Sequence, residues 1–303
     1  MIRMWPVAQE DADARIDAVL AGLSGLSRAS CAALIDEGLV KLNDKVIAKS
    51  ARVQFGDVIE VDFPDTEIGQ AEPTVELPIV FADEDFVVID KPAGVAAHPS
   101  VGWSGPTVIG SLEAMGHVLT AYGPVERKGI VHRLDVGTSG LMVVAKSEQA
   151  YVSLKDQFRA RTVNKIYHTL VQGRLDPMSG TIDAPIDRHP TSSYRFAVLD
   201  SGRASITHYD TLDAFAYASL LEVHLETGRT HQIRVHMSAL RHPCCGDLTY
   251  GADPKLAAKL GLERQWLHAV TLGFAHPRSH EQVSFTSEYA PDLQAALDKV
   301  SDL

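Results

Sequence analysis

The chain has 303 residues, 45% hydrophobic and 22% charged, with a formal net charge of −11: a globular composition with room for a small domain and a medium one. No run approaches the ~18 apolar residues that a membrane helix requires, and Met1 to Ser24 lacks a basic stretch followed by an apolar core. Neither a membrane span nor a secretory signal is therefore expected, and three cysteines, Cys31, Cys244 and Cys245, fit packing residues in a reducing cytoplasm.

Taken in chain order, Ile16, Val19, Leu20 and Leu23 recur at helical spacing over 15–23. A second helix is predicted from Ser27 as N-cap, through Ala32, Leu34 and Ile35, to Gly38 as C-cap. Residues 39–42, a turn at Asn43–Asp44, and residues 58–61 read as short strands. Residues 1–63 thus form one small unit. From 64 to 78 come three prolines and four acids without a Lys or Arg, which reads as a linker.

A longer domain is expected over 79–303. Residues 87–89 and 141–145 read as buried strands, the first ending in the turn Lys91-Pro92-Ala93-Gly94. Ser147 caps a helix carrying Tyr151, Leu154 and Phe158 on one face. Strands are predicted at 165–171, 205–209 and 221–225, and helices at 230–240 and 291–300. Helices are interspersed without a regular βαβ rhythm, so the fold class is α+β with a mixed, mainly antiparallel sheet.

The acidic total hides a local excess of base. Between Arg127 and Arg174 stand nine Lys/Arg against three acids, and Arg229, Arg234 and Arg241 share residues 228–242 with no acid. Such a stretch is either a solvated basic face or a binding surface for a polyanion. Residues 129–146 are the most informative: Asp135 sits in a loop of glycines and small hydroxyl residues that feeds directly into an apolar strand. Read alone, this Asp either braces its own turn or does chemistry.

His132-Arg133-Leu134-Asp135, followed by Thr138-Ser139-Gly140, is similar to the central motif of the RluA/RluD-type RNA pseudouridine synthases. Glu84-Asp85 with Asp90-Lys91-Pro92-Ala93-Gly94, and Lys165 with Tyr167, resemble two further motifs of that family. So do residues 225–236 with Gly246-Asp247 and Tyr250-Gly251, and Gln265, Leu267-His268-Ala269 and His276-Pro277. Order and spacing agree from about Ile79 to Leu297, and residues 183–190 are most like the D branch, which acts on large-subunit (23S) rRNA. Arg15 with Asp17, Ser27-Arg28, Leu34-Ile35 and Gly56-Asp57 resemble an α/β S4 RNA-binding domain, although residues 1–63 hold seven bases against ten acids.

The resemblance implies isomerisation of uridine within RNA: the C1′–N1 glycosidic bond breaks, the uracil turns, and a C1′–C5 bond forms. Asp135 is the implied nucleophile, Arg229 its expected ion-pair partner, and Tyr167 the aromatic against the flipped base. Arg133, Lys165, Arg28 and His132 are candidate RNA contacts. A carboxylate in a dry pocket resists ionisation and an adjacent arginine favours it, hence the expected pairing. No cofactor and no metal are expected: His231 and His236, five apart, fall on different faces of a helix. The expected protein is a cytoplasmic monomer whose partner is RNA. Two alternatives stand beside this: a non-catalytic RNA-binding or ribosome-assembly factor on the same fold, and a nucleosidase, which would need a second cooperating carboxylate.

Overall fold

The computed structural model describes residues 2–24, 26, 28–62, 73–100, 103–192 and 194–303. The chain divides into two compact units, Met1–Val75 with His98–Gly129, and Glu76–Ala97 with Ile130–Leu303. Residues 98–129, which the sequence reading assigns to the larger domain, thus group with the first unit.

In the first unit β1 (Ile2–Pro6), β2 (Val40–Leu42), β3 (Lys45–Val46) and β4 (Val58–Asp62) form an antiparallel sheet in the order β1-β4-β2-β3. Two helices cover it, α1 (Ile16–Ser24) and α2 (Arg28–Asp36). Their apolar faces, Ile16, Leu20, Cys31 and Ile35, share one buried cluster with Ile59 and Val61 of β4. Both helices lie where the 3.6-residue spacing places them, while the expected cap Ser27 and linker residues 64–72 lie outside the described residues. The unit also holds α3 (Val108–Ala114), whose N-cap Thr107 accepts a hydrogen bond from the Gly110 N–H.

The second unit is built on a nine-stranded sheet. Its strands are β5 (Ile79–Ala82), β6 (Phe86–Lys91), β7 (Ser139–Ala145), β8 (Asn164–Gln172), β9 (Ser179–Asp183), β12 (Ile206–Ala214), β13 (Ala218–Leu225), β14 (Leu267–Ala275) and β15 (Gln282–Thr286). They run β5-β6-β7-β14-β8-β13-β12-β9, with β15 on β14; every pairing is antiparallel except the short β7–β14 contact. A separate hairpin joins β10 (Ile186–Arg188) to β11 (Phe196–Val198). The helices are α4 (Glu148–Ala160), α5 (Gln232–Ala239), α6 (Pro254–Leu260) and α7 (Pro291–Ser301). The expected α+β class and mainly antiparallel sheet are what the structure has.

Ser147 caps α4 as its sequence suggests, accepting from the Ala150 N–H, and its hydroxyl also donates to Asp85. Leu154 and Tyr151 on that helix pack with Phe86, Leu141 and Phe274 of the sheet. On a second cluster Trp266, fully buried, packs with Leu293 and Ala296 of α7 and donates its indole N–H to the Leu293 carbonyl at 2.8 Å.

One row of the sheet positions the chemistry. Gly140 on β7 faces Ala269 on β14, Ala269 faces Tyr167 on β8, and Tyr167 faces Val223 on β13. The small Ala269 is all that separates the strand that follows Asp135 from the strand that carries Tyr167.

Candidate active site

Asp135 lies in the loop entering β7, and this loop is held from several sides. Its own Thr138 N–H returns to the Asp135 carbonyl at 3.0 Å. The Val136 carbonyl accepts from the Gly94 N–H at 2.8 Å, and the Gly137 carbonyl from Arg264 at 2.9 Å. Ser139 meets His268 Nδ1 at 2.9 Å, while His268 Nε2 reaches Ser287, which donates to Asp90. Burial pushes His268 down to about 4, so it serves as a neutral hydrogen-bonding group.

Lys91, fully buried, directs Nζ at the carbonyls of Pro92 and Val95, both at 2.9 Å, beneath the same loop. Burial pushes its pKa down to about 7 against the opposing pull of Asp135. The carbonyls around Nζ are the acceptors that an ammonium needs when water is excluded.

The carboxylate of Asp135 is bound by Arg234 Nη1 at 3.2 Å. Arg234 in turn is gripped by Asp247 through Nε at 2.6 Å and Nη2 at 3.0 Å. Burial works against the guanidinium's charge, but Asp247 and Asp135 outweigh it and leave its pKa raised. This bidentate clamp fixes the guanidinium plane and with it the orientation of Asp135. Asp247 is 1% exposed and Asp135 15%, so only Asp135 faces the cleft. Among the described residues Asp135 is the one acid lining the inner recess; Glu226, on the wider basin, is engaged by Arg161 and His208, so no second carboxylate stands beside Asp135 as a nucleosidase would need.

The pairing expected at Arg229 is therefore corrected. Arg229 sits in the turn before α5 and gives Nε to the Ala204 carbonyl at 3.3 Å, while Arg234 lies inside the first turns of α5, which is buried on nearly all sides. The buried position delivers the arginine that braces Asp135, and the turn leaves Arg229 on the cleft wall. The sequence carried a signal: Asp247 is the lone acid between Gly228 and Ala252, a counter-ion for an arginine turned inward. His231, Nε2 3.9 Å from Asp135, lines the recess, and Tyr250 stands behind it, its hydroxyl 2.7 Å from His231 Nδ1; the sequence reading assigns neither a role in the site.

A recess of about 90 Å³ is lined by Asp135, Tyr167, Arg229, His231 and Arg234, among others. Arg133, Tyr167 and Arg229 also line a wider basin of about 460 Å³ with Arg159, Arg161 and Lys165. Tyr167, at the boundary, has its pKa raised by burial and by Asp135, so the phenol keeps its proton. Lys165 points Nζ toward the Phe158 ring at 5.9 Å, its pKa lowered by burial and by Arg161. His132 stacks on Phe158 at 4.6 Å and accepts the Val143 N–H on Nε2; burial holds it at about 3, so it adds no charge to the basin. In the first unit, Arg28 and Arg15 both bind the buried Asp17 at 3.0 Å while remaining largely exposed. Among the described residues no group of His, Cys, Asp or Glu is arranged to hold a metal ion, and no single helix is long and apolar enough to cross a membrane.

A carboxylate fixed by a buried arginine at the floor of a basic cleft defines an enzyme site suited to a polyanionic substrate. The RNA pseudouridylate synthase family model matches residues 85–239, and the S4 domain model residues 14–59. An uncharacterized RNA pseudouridine synthase of Mycobacterium bovis is 57% identical over 298 residues, 97% of each chain. Ribosomal large subunit pseudouridine synthase D of Zymomonas mobilis is 39% identical over 292 residues, 92% of each. The solved structure of human RNA pseudouridylate synthase domain containing 1 shares 29% identity and a TM-score of 0.59, covering 76% of this chain and 90% of that one. The chain belongs to the RluA/RluD-type RNA pseudouridine synthase family and carries an N-terminal S4 domain.

Proposed function

We propose that the protein isomerises specific uridines of large-subunit ribosomal RNA, with Asp135 as nucleophile toward a uridine turned out of its stack. The observation that carries this is the Arg234 clamp, which presents a single oriented carboxylate at the floor of a basic cleft. The ribosomal large-subunit substrate is read from relatives bearing that name at 39% identity.

As the C1′–N1 bond breaks, positive charge develops at C1′, which a carboxylate stabilises or bonds to. After the uracil turns, C1′–C5 forms, C5 loses its proton and N1 gains one. Tyr167, a protonated phenol on the cleft wall, lies against the uracil and serves that proton movement. Turning the base out costs a few kcal/mol, least in a loop or single strand. Arg133, exposed at the mouth, takes a phosphate or the gap left by the base, while Lys165 and Arg229 meet the flanking backbone. Residues 1–63 guide site choice through Arg15 and Arg28. The protein works in the cytoplasm as a monomer, without cofactor.

The test is to incubate purified protein with large- and small-subunit rRNA and with tRNA, then map pseudouridine by carbodiimide adducts and primer extension. New pseudouridines confined to large-subunit rRNA are expected. Modification of tRNA alone would overturn the substrate assignment.

A further inference from the structure

We infer that Tyr250 is a positioning residue, whose hydroxyl fixes His231 with its Nε2–H toward Asp135 and ties that arrangement to the β10–β11 hairpin. This rests on the reading of Asp135 as nucleophile.

Tyr250 is 4% exposed and, unlike Tyr167, lines neither the recess nor the basin. Its oxygen accepts the Phe196 N–H, the first residue of β11, at 3.0 Å, and lies 2.7 Å from His231 Nδ1. With one lone pair engaged by Phe196, the hydroxyl hydrogen is free for Nδ1. Burial raises the Tyr250 pKa and lowers that of His231, so a neutral phenol faces a neutral imidazole. An imidazole that accepts at Nδ1 carries its one proton on Nε2, and Nε2 stands 3.9 Å from Asp135 Oδ2.

His231 needs such a hold. Its φ of 56° is left-handed, a conformation that costs a β-carbon-bearing residue about 1–2 kcal/mol, and Phe196 and Tyr250 both meet its ring edge-on at 5.6 Å. The Tyr250 ring also lies 4.8 Å from the Arg234 guanidinium and 5.6 Å from that of Arg195, which precedes β11. One side chain thus joins the hairpin, the imidazole and the arginine that surround the carboxylate.

The test is Tyr250→Phe in the full chain, which removes one oxygen and keeps the ring beside Arg234. On 5-³H-uridine large-subunit rRNA, tritium release should lose about tenfold or more in kcat with KM within about twofold, the pattern of an interaction used in the transition state. The ¹⁵N spectrum of the histidine side chains should show His231 changing from a fixed Nε2–H tautomer to a mixture. His231→Asn, which leaves Tyr250 and its bond to Phe196 in place, should lose kcat similarly, and the double variant should be no worse than His231→Asn alone. Wild-type kcat in both single variants, or a change in KM alone, would overturn the inference. Asp135→Asn run alongside separates the two readings. If it is active, the nucleophile reading fails. If it is inactive while Tyr250→Phe keeps wild-type kcat and tautomer, only the Tyr250 inference fails.

Discussion

At the scale of single residues, Arg229 and Arg234 show what identical chemistry becomes in different surroundings. Removing Arg234 leaves Asp247 buried without a counter-charge, so Arg234→Gln should cost about 3–5 kcal/mol in urea unfolding and abolish activity. Arg229→Gln, on the cleft wall, should change stability by no more than about 0.5 kcal/mol and weaken RNA binding instead. Equal destabilisation by the two would contradict the assignment of the clamp. Asp135 and Tyr167 came into view only through the motifs they share with the family, since read alone Asp135 could equally have braced its own turn. Which arginine turns inward was not legible, because that depends on where α5 begins: Arg229 lies three residues before Gln232, and Arg234 two after it.

At the scale of elements, the pattern of apolar residues announced α1, α2, α4, α5 and α7 and, in the large sheet, β6, β7, β8, β12 and β13 to within a few residues, but not β14, which lies between β7 and β8. It did not announce β5, whose four residues are all exposed, nor α3 and α6 at seven residues each, which are too short to build a periodic signal. Nor did it reveal the single parallel junction of β7 with β14, since strand order is a long-range property. That junction directly follows the loop that carries Asp135, and Gly140 makes it possible. Its φ is +110°, and a Cβ there would collide with the Ala269 backbone. Gly140→Ala should therefore cost about 3 kcal/mol or more in thermal unfolding and misplace Asp135. Gly94, also at positive φ but with open space around it, carries only the backbone penalty, so Gly94→Ala should cost about 1–2 kcal/mol. A Gly140→Ala variant as stable as Gly94→Ala would mean that the β7–β14 approach is looser than the structure has it.

At the scale of the whole molecule, neutral histidines packed inside the fold contribute to the acid sensitivity of stability. His132 is held at about 3 and His268 at about 4, both below the ordinary value near 6.5 that they regain on unfolding. Between about 6.5 and 4 the unfolded chain binds protons that the folded chain refuses, so stability is complete above about 6.5 and falls as pH drops. Each such histidine contributes up to about 1.4 kcal/mol per pH unit, and His268→Gln should flatten the urea-midpoint profile accordingly. An unchanged slope in that variant would show that His268 does not carry this part of the acid sensitivity. The charge distribution has its own signature: despite a net charge of −11, RNA affinity should fall steeply with salt. Replacing the exposed Arg159 on the basin wall by Ala should reduce the log–log slope by about 0.7–0.9; a flat dependence would refute the basic cleft as the RNA-binding face. The most direct test of the whole account is Asp135→Asn. Asp135 is partly exposed and Arg234 keeps its Asp247 clamp, so the variant should fold and bind large-subunit rRNA like the wild type. It should release no tritium from 5-³H-uridine rRNA and leave no new pseudouridine on mapping. Substantial turnover by a folded Asp135→Asn protein would contradict the account at its centre.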